Sequence, residues 1–225
     1  MKLTPGRDHH LNGREIDGDL SPALVSQLGS LVQSLTTHPG RPRIIALVSP
    51  GRREGTTSCT VSLGRYLAGR RGRVLMIDAN SHDPGLHDVS GVEQGEGVHE
   101  IFDGGLALER AIKPTSVQGL FVMTSGRAEP SDGQVLPSLL RDKILNSACD
   151  YDFVLVDCPA VNVYEGSASI AALCEGVIMV VEGGRTLRQA AKAAKQLLMR
   201  ANCNILGVFI NRRKYYIPQF LYDRL

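Results

Sequence analysis

A chain of 225 residues, 43% of them hydrophobic, has the size and composition of one α/β domain, and a formal charge of +2 makes no general case for a polyanion partner. Its five cysteines are odd in number and lack C-x-x-C spacing, so neither a disulfide framework nor a zinc site is indicated; they read as small buried hydrophobes in a reducing cytosol. No apolar run approaches the roughly 18 residues of a membrane span, and the polar opening MKLTPGRDHHLNGREIDGD does not read as a signal peptide, so a cytoplasmic location is expected.

Residues 1–19, charged and Gly-containing, read as a flexible leader to a domain over 20–225. Ser21-Pro22 then opens an amphipathic helix, with Ser as N-cap, Pro at the first helical position and Leu24, Leu28, Leu31 and Leu35 as its apolar stripe. The stretch His38-Pro39-Gly40-Arg41-Pro42 ends it. An apolar strand from Ile44 to Val48 leads into a Gly-containing loop and a helix, and Gly69 to Gly72 turns into a second strand over Val74–Ile77 that ends at Asp78. Beyond a Gly-rich acidic stretch, Val89 to Gly105, come a short helix near Leu108–Ile112 and a third strand at Leu120–Met123. A helix over Pro137–Ser147 precedes a fourth strand, Phe153–Val156, ending at Asp157. The pattern continues through Ser167–Leu173 to a fifth strand at Gly176–Val181, an Ala/Lys-rich helix at Thr186–Ala201 and a sixth strand at Ile205–Ile210. Nearly continuous apolar strands alternating with helices specify a doubly wound, mainly parallel α/β sheet with helices on both faces. The ligand crevice of such a sheet lies at the carboxyl ends of the strands, where Asp78, Asp157 and Asn211 stand.

The segment IIALVSPGRREGTTSCTVSLGRYL carries the most information. A strand, a Gly-containing loop and a helix form the layout of a P-loop, whose backbone N–H groups and helix N-terminus face phosphate. Its frame falls on Pro50, Gly51, Arg52, Arg53, Glu54, Gly55, Thr56, Thr57 and Ser58, which places Thr56 where the lysine belongs. That lysine is the point charge that reaches the β- and γ-phosphates. Losing a hydrogen bond to a charged group costs about 1.5–3 kcal/mol, roughly tenfold to a hundredfold in affinity. The loop amides remain, as does the Thr57 hydroxyl as a candidate Mg²⁺ ligand, while Arg52 and Arg53 are the nearest alternative cations.

Four ordered motifs, VSPGRREGTTS, VLMIDANSHDPGLH, YDFVLVDCPAV and LGVFINRRKYYIP, resemble those of the bacterial tyrosine kinases of capsule and exopolysaccharide loci. That family lies within the wider MinD/ParA-like class of P-loop proteins, and the similarity runs from Ser21 to about Tyr222. The resemblance implies ATP or ADP and Mg²⁺ as cofactors, with Asp78 and Asp157 as catalytic and metal-associated acids, Thr57 as a metal ligand, and Asn211 at the adenine base. It also implies a membrane polysaccharide co-polymerase (Wzz-like) as partner, engaged through its cytoplasmic segment, so that the chain is peripheral to the inner membrane.

Three departures qualify these expectations. The family's Asp-x-Asp-x-Arg reads Asp78-Ala79-Asn80-Ser81-His82, and Asn80 cannot serve as a general base. The P-loop lysine is replaced by Thr56, and the family's charged amino-terminal docking motif corresponds to the neutral helix Leu24–Leu31. Weak or absent nucleotide binding is therefore expected, with lost tyrosine kinase activity, a regulatory role, and a monomer or homodimer in isolation. The alternatives are an active autokinase or ATPase using an unorthodox cation, and a MinD/ParA-like positioning ATPase. Gly51 stands where the latter class carries its signature lysine. Tyr215, Tyr216 and Tyr222 are the candidate phosphoacceptors, although Ile217, Phe220 and Leu221 among them suggest a packed segment. The run Arg212-Arg213-Lys214 reads as a solvated strand end, and no nucleic acid is expected.

Overall fold

A computed structural model of the chain describes residues 20, 22–38, 40–103, 105–127 and 137–212. The expected leader, the N-cap Ser21 and the tyrosines Tyr215, Tyr216 and Tyr222 lie outside these residues.

Helix α1 (Pro22–Thr37) begins at its proline and buries Leu28, Val32 and Leu35. Strand β1 (Ile44–Val48) leads through the P-loop to α2 (Thr56–Ala68), and β2 (Val74–Asp78) follows. Two five-residue helices, α3 (Leu86–Ser90) and α4 (Val98–Phe102), break up the Gly-rich stretch that reads as irregular in the sequence. After α5 (Leu108–Ala111) comes β3 (Ile112–Pro114), a strand the sequence pattern did not reveal, and then β4 (Leu120–Met123). Helix α6 (Pro137–Lys143) and a turn of 3₁₀ helix (Leu145–Ser147) occupy the region expected to hold one helix. The remaining elements are β5 (Phe153–Asp157), α7 (Ser167–Ala171), β6 (Gly176–Glu182), α8 (Arg188–Arg200) and β7 (Ile205–Asn211).

The seven strands form one sheet in the order β3-β4-β2-β5-β1-β6-β7, parallel except for β3, which pairs antiparallel with β4. One face packs on α1, α2 and α3, through Leu28, Val61, Leu63 and Leu86 against Leu47, Met76 and Leu155. The other is covered by α4, α6, α7 and α8, with Ile101, Leu140, Ile170 and Leu198 packed on Leu75, Val156 and Val177. This double cover explains the uninterrupted apolar strands, because neither face of β1, β2 or β5 meets water. Cys59, Cys158 and Cys174 are buried and Cys203 partly so, but Cys149 is exposed, unlike the small core residue the sequence suggests.

Candidate functional site

The central strands end together, and their ends build the site. Val48 closes β1, and the backbone then curls over Ser49, whose hydroxyl donates to the Gly51 carbonyl at 2.8 Å. Gly55 precedes α2 with a left-handed φ of 87°, and a Cβ there would stand 2.0 Å from Asn211 Nδ2. Only glycine fits that approach. The loop after β5 is tied to the same turn, as Val161 N–H donates to Ser49 O at 2.9 Å and Asn162 N–H to Pro50 O at 3.3 Å. The result is a cleft of about 510 Å³ whose wall includes Gly51, Arg52, Arg53, Gly55, Thr56, Thr57 and Ser58. Thr56 starts α2 and is largely buried, so the lysine position is filled by a short neutral side chain.

Asp78 and Asp157 are register partners at the ends of β2 and β5, and both are fully buried. They lie behind the cleft wall, which their neighbours Asn80 and Cys158 line. Asp78 is satisfied: Oδ1 accepts from Asn80 N–H at 3.1 Å, and Oδ2 from Gly85 N–H at 3.2 Å and Leu86 N–H at 3.1 Å. It thus caps the start of α3. Burial raises its carboxyl to about 7, against the opposing pull of these three donors. Asp157 has no such shell of backbone donors: its oxygens accept no hydrogen bond of ordinary geometry, and the hydroxyls of Thr57 and Thr60 are the polar groups that act on it. Burial, and then the neighbouring Asp78, hold its carboxyl well above the ordinary range, with the Thr57 and Thr60 hydroxyls pulling the other way.

Asn80, in the place of a second carboxylate, closes a turn: its Nδ2 donates to Asp83 O at 2.9 Å and its Oδ1 accepts from Asp83 N–H at 3.3 Å. Asn211 ends β7, and its Nδ2 donates to Glu54 O at 3.0 Å while its Oδ1 accepts from Arg212 N–H at 2.9 Å. Its carboxamide therefore braces the P-loop. Glu54 is buried, and its Oε2 lacks a partner. Burial raises its carboxyl, opposed by hydrogen bonds from Thr186 and the Gly51 backbone, with Glu182 adding to the rise. Arg52 turns toward Tyr164, its guanidinium 5.1 Å from the ring centre and bonded to the hydroxyl. Tyr164 also stacks on His82, with ring centres 4.2 Å apart and the rings 6° from parallel.

Sequence reasoning missed the participation of Tyr164 and Arg185 in this cleft. Nothing in their local sequence marks them; both arrive through loops that follow β5 and β6. His82 carried a signal, because it stands where the resembling motif has arginine.

A parallel sheet with a P-loop after its central strand and acids at two neighbouring strand ends defines a P-loop NTPase fold of the MinD/ParA-like class. The chain's homologues are bacterial tyrosine kinases. It is 26% identical over 172 residues to the tyrosine-protein kinase YwqD of Bacillus subtilis, covering 76% of this chain and 72% of that one. With the tyrosine-protein kinase CpsD of Streptococcus agalactiae it shares 27% identity over 174 residues, covering 76% and 75%. No protein-family model matches the chain. Among solved structures, the chimerical protein CapA2B2 superposes with a TM-score of 0.73 at 19% identity, over 90% of this chain and 88% of that one. The kinase domain of the Escherichia coli tyrosine kinase ETK follows at 0.72 and 24%, over 86% and 78%. The septum site-determining protein MinD of Pyrococcus horikoshii OT3, complexed with Mg-ADP, gives 0.66 at 25% identity, over 80% and 76%.

Proposed function

We propose that this protein is a tyrosine-kinase-like P-loop protein that has lost phosphoryl transfer and acts by binding, as the cytoplasmic partner of a membrane polysaccharide co-polymerase in capsule or exopolysaccharide biosynthesis. The observation that carries this reading is the electrostatics of the cleft: two buried carboxylates, Asp78 and Asp157, with Thr56 where a lysine would oppose them. Catalysis in this class rests on positioning and on stabilising charge at the transferred phosphoryl group, so a missing cation affects turnover more than binding. Asn80 supplies no base, and its amide is occupied in a turn. The homology to tyrosine kinases supports the family context, and the likeness to a Mg-ADP complex supports a nucleotide site.

The residues present fit both groups in part. The left-handed Gly55 and the amides around it fit a phosphate, while the buried Asp157 carboxylate, which accepts no hydrogen bond of ordinary geometry, and the Thr57 hydroxyl beside it fit a divalent cation. Bound Mg²⁺ would supply charge neutralisation beside the phosphates. ADP and ATP are expected to bind at micromolar affinity or weaker, with little preference for the triphosphate. Calorimetric titration with and without Mg²⁺ tests this, and nanomolar Mg²⁺-dependent ATP binding would overturn it. Phosphopeptide mapping after incubation with Mg-ATP should find no phosphate on Tyr215, Tyr216 or Tyr222.

A further inference from the structure

From Gly183 to Arg212 the chain carries six cationic side chains and no carboxylate, although its formal charge as a whole is only +2. Two of the six, Arg185 and Arg212, pair with Glu182. The other four, Arg188, Lys192, Lys195 and Arg200, stand exposed on α8 and make no ion pair with any described residue. The core of α8 packs on β6 and α7, and three carboxylates flank those elements. Glu182 is already shared, Glu175 Oε2 accepts from the Arg43 and Ile44 backbone N–H groups, and Glu165 is exposed in the loop after β5. With all three fully charged, the cations remain in excess.

Arg188, Lys192 and Lys195 recur at i, i+4 and i+7, so that with Met199 they form one exposed row about 16 Å long. Like charges at these spacings repel, and Arg188 adds a cation at the helix end that favours anions. Nothing described within the chain offsets that cost. Apolar side chains share the surface: Leu187, just ahead of α8, is 71% exposed and Met199 58%. At the β7 edge, Val208 and Ile210 are 54% and 46% exposed. They are in register with Met179 and Val181 of β6, which pack in the core beneath α8, and so lie on the α8 face of the sheet.

We propose that this flank binds an anionic lipid bilayer, with Arg188, Lys192 and Lys195 against headgroup phosphates and Leu187 and Met199 entering the interface. A bilayer surface takes up both the charges and the aliphatic side chains. A nucleic acid would use the charges alone, and Phe209, the only aromatic residue from 183 to 212, is buried and cannot stack on a base. A few cations near a lipid surface bind weakly and reversibly, so the contact orients the protein at the membrane and does not anchor it alone. It goes beyond the function proposed above and does not depend on the nucleotide site.

The test mixes the full chain with vesicles of phosphatidylcholine, or of equal parts phosphatidylcholine and phosphatidylglycerol, and measures partitioning by flotation at low and high salt. Binding to the anionic vesicles alone, weakened by salt, is expected. Lys192→Gln with Lys195→Gln should lower the partition coefficient about tenfold to thirtyfold. Leu187→Ser with Met199→Ser, which keeps the charge, should lower it as well. Arg70→Gln with Arg71→Gln removes the same charge from the turn after α2 and should leave it unchanged. All six positions are exposed, so urea unfolding midpoints should match that of the parent protein. No partitioning, equal partitioning onto neutral vesicles, or an equal loss in the Arg70/Arg71 variant overturns the proposal. So does binding to polyuridylate or polyglutamate at least as tight as that to the anionic vesicles, because the surface would then select a polyanion of another class.

Discussion

Asp78 and Asp157 stand side by side at paired strand ends, yet only Asp78 accepts backbone hydrogen bonds of ordinary geometry, while Asp157 has the Thr57 and Thr60 hydroxyls near it. The folded protein holds a proton on this pair at pH values where the unfolded chain has released it. For Asp78, stability from the neutral form is complete below the ordinary value of 3.8 and is lost as pH rises through about 7. Asp157, raised in the same direction, adds to the loss. Asp157→Asn should therefore flatten the pH dependence of urea unfolding in metal-chelated buffer. At pH 8 it should stabilise the protein by about 1–3 kcal/mol, the scale of an unsatisfied buried polar group. Destabilisation at pH 8 would mean that the carboxylate has a partner. The second residue-scale prediction concerns Thr56, which borders the cleft at the first position of α2. Thr56→Lys returns the missing charge beside the two acids and should tighten ADP binding by about tenfold to a hundredfold. An unchanged dissociation constant in calorimetry would show that the cleft does not place phosphate on this loop.

At the scale of elements, the contact between the P-loop and β7 is the one that shapes the cleft. Gly55→Ala combines a left-handed backbone with a Cβ driven into Asn211, and should cost about 1–3 kcal/mol in denaturant unfolding. Gly105→Ala, where a Cβ meets open space, serves as the control and should be near neutral. A Gly55→Ala protein as stable as its control would mean that β7 moves aside without penalty. The contrast also shows what the sequence made legible. Runs such as Val74–Ile77 and Phe153–Val156 announced buried parallel strands, because double burial demands apolar residues at every position. The P-loop glycine and the acids at strand ends could be read because their chemistry follows from their place in a strand-loop-helix unit. Strand β3 could not: it is three residues long, ends in proline, and exists only because β4 offers it an edge. Helices α3 and α4 span five residues each, too short for a helical period to emerge. The stack of His82 on Tyr164 and the pairing of Arg212 with Glu182 join residues far apart in sequence, which only the folded chain brings into contact.

For the whole molecule the open question is self-association, and α1 bears on it directly. Its apolar stripe is spent inside the chain, with Leu28, Val32 and Leu35 buried against α2 and the sheet and Leu24 and Leu31 packed at the margin. Gln27, on the same helix, is neutral and only partly exposed, so α1 presents no charged docking motif to a neighbouring subunit. No helix among the described residues is long and apolar enough to cross a membrane. A monomer or a two-fold dimer is therefore expected for the isolated chain, with larger assemblies requiring that partner. Light scattering of the full chain over a range of concentrations would measure this directly. A closed ring that persists after Gln27→Glu or Gln27→Arg would overturn the expectation, since it would have to be built on a surface other than α1.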